Sequence, residues 1–379
     1  MAEQDMMISA DSHVIEPRKL WVERVNTPFR DRAPQVVTNP GDLKGEWFMC
    51  EGLEPRPASL AFAAGKDPSE YNEFQKATNY DDGLPGGWEA APRLRDMALD
   101  GVEAEVIYTT LGFRLFGLLD EPFQRELFRV YNDWLAEFCQ YDGKRLLGLA
   151  MIPLLDIEAG ITELRRSAKL GLRGALIMCS PPEGQDYADS LYDPFWAEAQ
   201  ELGMPLSLHL GTGHGKESRY DSNLFLRIMS IPHEVQRTFT SLIFGGVLER
   251  FPNLKIVSAE NDIGWVPHFL ARADMAFHKL GSVKLGTWQG VKLSMLPSEY
   301  FRRQVYATFI DDEVGVRNCD LFGTDNYMWS SDYPHLMATW PRSREAVERN
   351  FQGASEEVKR KVVCENVTRL YNIDLNEAG

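Results

Sequence analysis

Eight short runs of β-branched and other apolar residues alternate along the chain with longer segments of helical periodicity, and this order limits the possible folds most strongly. The runs span residues 6–11, 104–109, 147–152, 174–178, 205–210, 254–259, 305–309 and 328–331. Amphipathic segments lie between them at 124–139, 157–170, 193–202, 235–250 and 266–277. Strands that alternate with helices build parallel sheets, and eight of them close a (β/α)8 TIM barrel. We therefore predict an α/β protein of this class.

Residues 39–93 do not follow the alternation, because they are rich in Gly, Pro, Asp and Trp and have neither period. We interpret them as an insertion or lid after strand one. Their aromatic residues suggest a hydrophobic cover over an apolar substrate: Trp47, Phe48, Phe62, Tyr71, Phe74 and Trp88. Residues 355–370 have the period of a last covering helix. TIM barrels with insertions reach such lengths, so residues 1–379 are expected to form one domain.

The charge balance limits the partners of this chain. It has 40 basic against 56 acidic residues, a formal net charge of −16, which disfavours nucleic acids and anionic membrane surfaces. The first residues lack the features of a signal peptide, and no window approaches 18 uninterrupted apolar residues. Five scattered cysteines without CxxC spacing fit a reducing compartment. We expect a cytoplasmic protein that acts on a small molecule and could form a homodimer.

Polar side chains follow four of the predicted strands, at the end where a TIM barrel forms its active site. On strand one, Asp11 and His13 are two positions apart, so both can face the barrel axis. The other candidates follow strands five, six and eight: His209, Glu260, Asp332 and His335. Carboxylate and imidazole groups are ligands of zinc, manganese and iron. The pattern predicts a catalytic divalent metal ion at the barrel mouth.

Taken one at a time, these residues have simpler structural interpretations. The spacing of Asp11 and His13 occurs by chance in many proteins. A histidine between two leucines, such as His209, is often a core residue bonded to the backbone, and Asp332 could belong to a turn. Their joint placement at the ends of four predicted strands argues against coincidence.

Four segments of the chain resemble one family in order and spacing: DSHVIEP, LHLG, ERFPNLKIVSAENDIGWVPHFLARAD and WSSDYPH. Together they resemble the amidohydrolase 2 family, the aminocarboxymuconate-semialdehyde decarboxylase-like branch of the amidohydrolase superfamily. The resemblance covers nearly the whole chain apart from residues 39–93. It implies a distorted barrel, a divalent metal with a bound water, and substrates that are small aromatic or ring-derived acids. The family ligands correspond to Asp11, His13, His209 and Asp332.

Two positions depart from the family pattern. Asp11 stands where many relatives have a histidine, and Glu260 stands where the decarboxylases have a histidine that acts as an acid or base. Glu260 could take over that role. Alternatively it could bridge two ions, for which His335 would complete the ligand set. Zinc, manganese and iron all remain compatible, as one ion, or as two if Glu260 bridges.

Other residues are candidates for contact with a substrate. Arg272, with Asp274 beside it, resembles family positions at the barrel mouth, although a surface pair explains both equally well. Trp329 and Tyr333 flank Asp332 and could pack on a ring, or serve only the core. His214 lies in a glycine-rich loop after strand five, where a solvated histidine is the simpler interpretation.

These observations lead to one main function and two alternatives. The main hypothesis is hydrolysis or nonoxidative decarboxylation of a small to medium hydrophobic or aromatic acid, with His209, Glu260 and Asp332 as catalytic residues. A resembling branch includes nonheme diiron monooxygenases that act on terpenoid acyl substrates, so oxygen activation is the first alternative. The second is a barrel that binds a ligand without turning it over.

Overall fold

The strands occur where the apolar runs predict them. The computed structural model describes residues 6–77, 79–212, 224–284 and 290–374. Its strands are β1 (Met7–His13), β2 (Gln35–Thr38), β3 (Glu46–Met49), β4 (Arg56–Pro57), β5 (Val102–Tyr108), β6 (Leu146–Met151), β7 (Gly174–Ile177), β8 (Leu206–His209), β9 (Ile256–Ala259), β10 (Val305–Phe309) and β11 (Tyr327–Trp329). β1 and β5–β11 are the eight predicted strands, and their ends agree with the prediction within two residues.

These eight strands form one sheet in the order β1-β5-β6-β7-β8-β9-β10-β11, and every neighbouring pair is parallel. Their residues are almost all buried, as expected for a parallel sheet that helices cover on one side and side chains fill on the other. The sheet order confirms the predicted (β/α)8 barrel.

Backbone hydrogen bonds join the two ends of this sheet just beyond β11. The Asp332 amide donates to the Asp11 carbonyl over 3.0 Å, and the His13 amide donates to the Tyr333 carbonyl over 2.6 Å. The barrel is therefore closed by the residues that carry the candidate ligands of strands one and eight.

Helices surround the barrel, and the predicted amphipathic segments are among them. They are α1 (Leu20–Arg24), α2 (Tyr71–Ala77), α3 (Ala90–Asp100), α4 (Glu121–Cys139), α5 (Ile157–Lys169), α6 (Asp193–Leu202), α7 (Leu224–Phe244), α8 (Val247–Arg250), α9 (Val266–Leu280), α10 (Pro297–Gln304), α11 (Glu313–Asn318), α12 (Ser343–Asn350), α13 (Glu356–Arg360) and α14 (Asn366–Tyr371). The predicted last helix is divided, since a π-helical turn at Lys361–Glu365 separates α13 from α14. Within the described ranges, no helix is both long and apolar enough to cross a membrane.

The segment between β1 and β5 is larger and more regular than the predicted insertion at residues 39–93. It spans residues 14–101 and contains the antiparallel sheet β2-β3-β4 as well as α1, α2 and α3. Its aromatic residues pack against one another, since the ring of Phe62 lies 5.9 Å from that of Phe74 and 5.4 Å from that of Tyr80. These contacts explain several of the aromatic residues as the interior of the insertion, and a role in covering a substrate stays a prediction.

A buried ion pair joins this insertion to the barrel. Arg93 on α3 and Glu105 on β5 are almost without exposed surface, and Nε donates to Oε2 over 2.5 Å. Arg93 also donates from Nη1 to the His13 carbonyl over 2.7 Å, and its guanidinium lies 4.5 Å from the centre of the Tyr333 ring. Ser12 donates to the other oxygen of Glu105 over 3.2 Å. One arginine thus links the insertion to both ends of the sheet.

Arg93→Met is expected to lower the free energy of unfolding by about 3–5 kcal/mol, because it leaves the Glu105 carboxylate buried without its counter-ion. The double variant Arg93→Met/Glu105→Met should recover most of that loss, since no buried charge remains. Arg24→Met is the matched control: its pair with Glu137 is exposed at both ends and should cost less than about 1 kcal/mol. Guanidinium unfolding measures all three. An equal loss in the Arg93 and Arg24 variants would contradict this account.

Candidate metal centre

The six predicted ligand residues lie together at the carboxyl end of the barrel strands. Asp11 and His13 are in β1, and His209 is the last residue of β8. The others follow β9 and β11, as strand-end residues do: Glu260, Asp332 and His335. Their donor atoms form two groups in which all atoms lie within 4.8 Å of one another. One group is Asp11, His13 and His209, and the other is His13, Glu260, Asp332 and His335.

Carboxylates and imidazoles alternate through this cluster. The Nε2 atom of His13 lies 3.3 Å from both Asp11 Oδ1 and Asp332 Oδ1. The Nε2 atom of His209 lies 3.4 Å from Asp11 Oδ2 and equally far from Glu260 Oε2. These distances are longer than hydrogen bonds and suit atoms that share a cation between them.

In two of the histidines, a backbone carbonyl fixes the Nδ1 atom, which is the ring nitrogen that does not face the cluster. His13 donates from Nδ1 to the Thr109 carbonyl over 2.7 Å, and His209 donates from Nδ1 to the Leu210 carbonyl over 2.8 Å. A carbonyl oxygen only accepts hydrogen bonds, so Nδ1 must carry the proton in each ring. The lone pair on Nε2 then points into the cluster, which is how histidines are prepared to bind a metal.

Burial and crowding shift the pKa values in the cluster. Burial lowers the pKa of His13 to about 4 and that of His335 to about 3, so both rings are neutral. Burial, aided by Asp11, raises the pKa of Asp332 to about 7 despite the opposing effect of His13. Burial together with Asp332 and Asp11 also raises the pKa of Glu260 well above its usual range. Three carboxyl groups cannot all ionise here without a compensating cation.

The backbone is strained where two of these carboxyl groups leave it. Glu260 has φ of 54° and Asp332 has φ of 55°, which is the left-handed region that favours glycine. The Glu260 amide donates to Thr308 Oγ1 over 2.9 Å, which holds the residue in this conformation. Both side chains turn toward the cluster as a result.

Buried donor atoms without hydrogen-bond partners indicate that the cluster could bind a divalent cation. Among the described residues, these buried atoms have no hydrogen-bond partner: Asp11 Oδ1, His13 Nε2, His209 Nε2 and Asp332 Oδ2. The other carboxylate oxygen of Asp332, Oδ1, lies 2.8 Å from His335 Nδ1. Buried polar atoms are rarely left unsatisfied, unless an ion or water occupies the space between them. Oxygen and imidazole donors of this kind suit zinc, manganese or iron. The cluster is therefore suitable for the predicted divalent metal ion, and the assignment of the individual residues as its ligands stays a prediction.

The sequence did not reveal the residues that support the ligands. Glu16, in the DSHVIEP segment, is fully buried and accepts hydrogen bonds from the loop after β5. In that loop Thr109 binds His13, Thr110 Oγ1 lies 2.9 Å from His335 Nε2, and the Phe113 ring lies 4.4 Å from that of His209. Polar residues directly after a barrel strand could have drawn attention to Thr109 and Thr110.

The predicted substrate-contacting residues are not all at the centre. Tyr333 is buried, its ring lies under the Arg93 guanidinium, and its hydroxyl donates to Asp96 over 2.6 Å, so these contacts are with the core, and a contact with substrate stays a prediction. Arg272 is exposed on the outer helix α9, and no described contact joins it to the cluster. Trp329 is wholly buried at the end of β11. His214 lies outside the described residues.

The chain is similar in sequence and in fold to known decarboxylases and amidohydrolases. The sequence is 26% identical over 293 residues to a 2-amino-3-carboxymuconate-6-semialdehyde decarboxylase of Dictyostelium discoideum, covering 76% of this chain and 78% of the relative. The fold matches an amidohydrolase of Mycobacterium avium subsp. paratuberculosis with a TM-score of 0.78 and 21% identity, over 98% of this chain and all of the other.

A further solved structure contains a metal. It is a dihydroxybenzoic acid decarboxylase of Polaromonas sp. JS666 with bound manganese and the inhibitor 2-nitroresorcinol, with a TM-score of 0.67 and 20% identity over 97% of each chain. The family model described as amidohydrolase matches residues 25–373 of the present sequence. That match spans every barrel strand after β1, and the chain therefore belongs to the amidohydrolase family.

Proposed function

We propose that this protein catalyses the nonoxidative decarboxylation of an aromatic or ring-derived carboxylic acid with the help of a divalent metal ion. One observation carries the proposal: a partly buried carboxyl group with a raised pKa, Glu260, lies beside the unsatisfied donor atoms of a metal site. Decarboxylation needs both parts, since the substrate must be held by its charged groups and the carbon that loses CO2 must receive a proton. The decarboxylases among the similar proteins support the same chemistry.

Four residues would hold the metal ion: Asp11, His13, His209 and Asp332. The bound ion would act as a Lewis acid toward the carboxylate or an adjacent hydroxyl of the substrate. Manganese is the first choice, because three of the surrounding groups are carboxyls and a similar fold binds it. The protein supplies two imidazoles fixed by carbonyl groups, so little reorganisation is needed when the ion binds.

Glu260 would supply the proton. Burial, together with Asp332 and Asp11, raises the pKa of Glu260 well above its usual range, which favours the protonated carboxyl group. In the reaction the bond between the ring carbon and the carboxylate breaks, CO2 leaves, and the electron pair stays on carbon. The proton of Glu260 then forms the new C–H bond. The side chain of Glu260 is 19% exposed, whereas that of Asp332 is 1% exposed, so water can return the proton to Glu260 more readily.

The test is a labelled-substrate assay with manganese-loaded protein. Dihydroxybenzoates and related ring acids with a ¹³C carboxyl group are incubated without oxygen in D2O. We expect ¹³CO2 release and one deuterium in the product at the carbon that lost the carboxyl group. Esters and amides of the same acids are incubated in parallel as a test of hydrolysis. Release of alcohol or amine without CO2 would refute decarboxylation in favour of hydrolysis.

Oxygen activation at two iron ions is the second candidate. It is favoured by the two donor groups, which have only His13 in common. A histidine Nε2 atom binds one ion, so an ion at Asp11, His13 and His209 would leave Glu260, Asp332 and His335 for another. About two irons per chain, together with an oxygen-dependent product, would establish this candidate. One ion per chain and CO2 release without oxygen would exclude it.

A further inference from the structure

Glu16 is a fully buried carboxylate outside the ligand cluster, and it is surrounded by hydrogen-bond donors. Its Oε1 atom accepts from the Thr110 amide over 3.1 Å, from the Gly112 amide over 3.2 Å and from the Thr109 hydroxyl. Its Oε2 atom accepts from the Leu111 amide over 2.9 Å. One side chain thus binds four consecutive residues of the loop after β5.

The same loop contacts three histidines of the metal centre. The Thr109 carbonyl fixes the protonated nitrogen of His13, and the Thr110 hydroxyl lies 2.9 Å from Nε2 of His335. The Phe113 ring packs 4.4 Å from the ring of His209 and 5.5 Å from that of His13. A shift of this loop would therefore change the direction of several imidazoles at once.

Close packing limits the conformations that this loop can adopt. A Cβ atom on Gly112 would lie 2.1 Å from the Thr109 hydroxyl oxygen and 2.8 Å from the sulfur of Met151, so the chain is packed tightly there. The Glu16 carbonyl in turn accepts from the Tyr80 hydroxyl over 2.6 Å, which ties it to the insertion. The backbone of Glu16 is thus anchored by Tyr80 while its carboxylate holds the loop.

We propose that Glu16 is a positioning residue that sets the metal affinity of the centre by holding residues 109–113 against its histidines. The proposal rests on the metal centre and not on which acid is the substrate. It predicts that substitution of Glu16 weakens metal binding by the folded apoprotein. A residue with a purely structural role would leave that affinity unchanged when it is substituted.

Glu16→Gln is the first test. The amide group has nearly the same size, but its nitrogen must face at least one N–H donor of the loop, which leaves that donor unsatisfied. We expect the affinity of the folded apoprotein for Mn²⁺ to fall about 10–100-fold, the usual effect of losing a group behind a metal ligand. Calorimetric titration with Mn²⁺ measures the affinity, and circular dichroism confirms that the apoprotein is folded.

Asp100→Asn is the matched control. Asp100 is also a buried carboxylate that accepts from a backbone amide and a hydroxyl, both of Ser343, but it has no hydrogen bond to the loop or to the ligands. It should lower thermal stability and leave Mn²⁺ affinity unchanged. If Glu16→Gln behaves like Asp100→Asn, with lower stability and wild-type affinity, the proposal is wrong.

A second pair of variants decides the question if Glu16→Gln does not fold. Thr109→Val removes one donor to Glu16 at constant shape, whereas Thr109→Ser keeps the hydroxyl. We expect weaker Mn²⁺ binding in the valine variant and wild-type binding in the serine variant. Wild-type affinity in both would overturn the proposal.

Discussion

Asp332→Asn is expected to bring turnover down to background and to weaken Mn²⁺ binding by at least about 100-fold. Loss of a residue that only hydrogen-bonds to a metal ligand already weakens metal binding about 10–100-fold. Asp332 presents two buried oxygens directly to the centre. Asparagine keeps the volume but replaces one of these oxygens with a donor that repels a cation. Elemental analysis after gel filtration measures the bound metal, and ¹³CO2 release measures turnover.

The same substitution should not destabilise the metal-free protein. Burial raises the pKa of Asp332 to about 7, above its ordinary value near 4, so ionisation destabilises the folded state as the pH rises through this interval. Asparagine has no charge to lose. In EDTA at pH 8 the variant should unfold at the same or a higher temperature than the wild type, and this difference should shrink toward pH 4. Normal metal content with full turnover would refute the role of Asp332.

Glu260→Gln is expected to lower kcat by about 10²–10⁴-fold, the range of general acid–base catalysis. Because Glu260 is proposed as a proton donor and not as a ligand, the metal content should stay at about one ion per chain. A fall from two ions to one would instead mean that Glu260 bridges two metals. Metal content and kcat measured on the same preparation separate these outcomes.

Asp262→Asn is the control for this substitution. Asp262 is two residues away and has the same left-handed backbone, with φ of 56°, but it is exposed and belongs to neither donor group of the metal centre. Its variant should keep kcat within about two-fold, because exposed sites away from the chemistry usually tolerate such changes. An equal loss in both variants would point to a distorted loop after β9 and not to a missing proton donor.

Much of the candidate site could be predicted because the rule behind it is local. Apolar runs mark the strands, and polar residues at their carboxyl ends mark the mouth of a parallel barrel. His209 illustrates this, since it lies near the end of a predicted apolar run and is the last residue of β8. The supporting residues have no such signal. Glu16 and Arg93 are charged residues in irregular or helical segments, and nothing local indicates that each becomes buried against the barrel.

The sequence by itself determined the barrel class and the donor set, because both depend on periodicity and on residue type at strand ends. The tertiary structure alone decided which donors meet. Closure of the sheet places Asp332 beside Asp11, although they come from opposite ends of the chain. The tertiary structure also directs the Tyr333 hydroxyl to Asp96 and places Glu16 against the loop that contacts the histidines. Such contacts depend on packing between distant segments, for which a linear pattern carries no information.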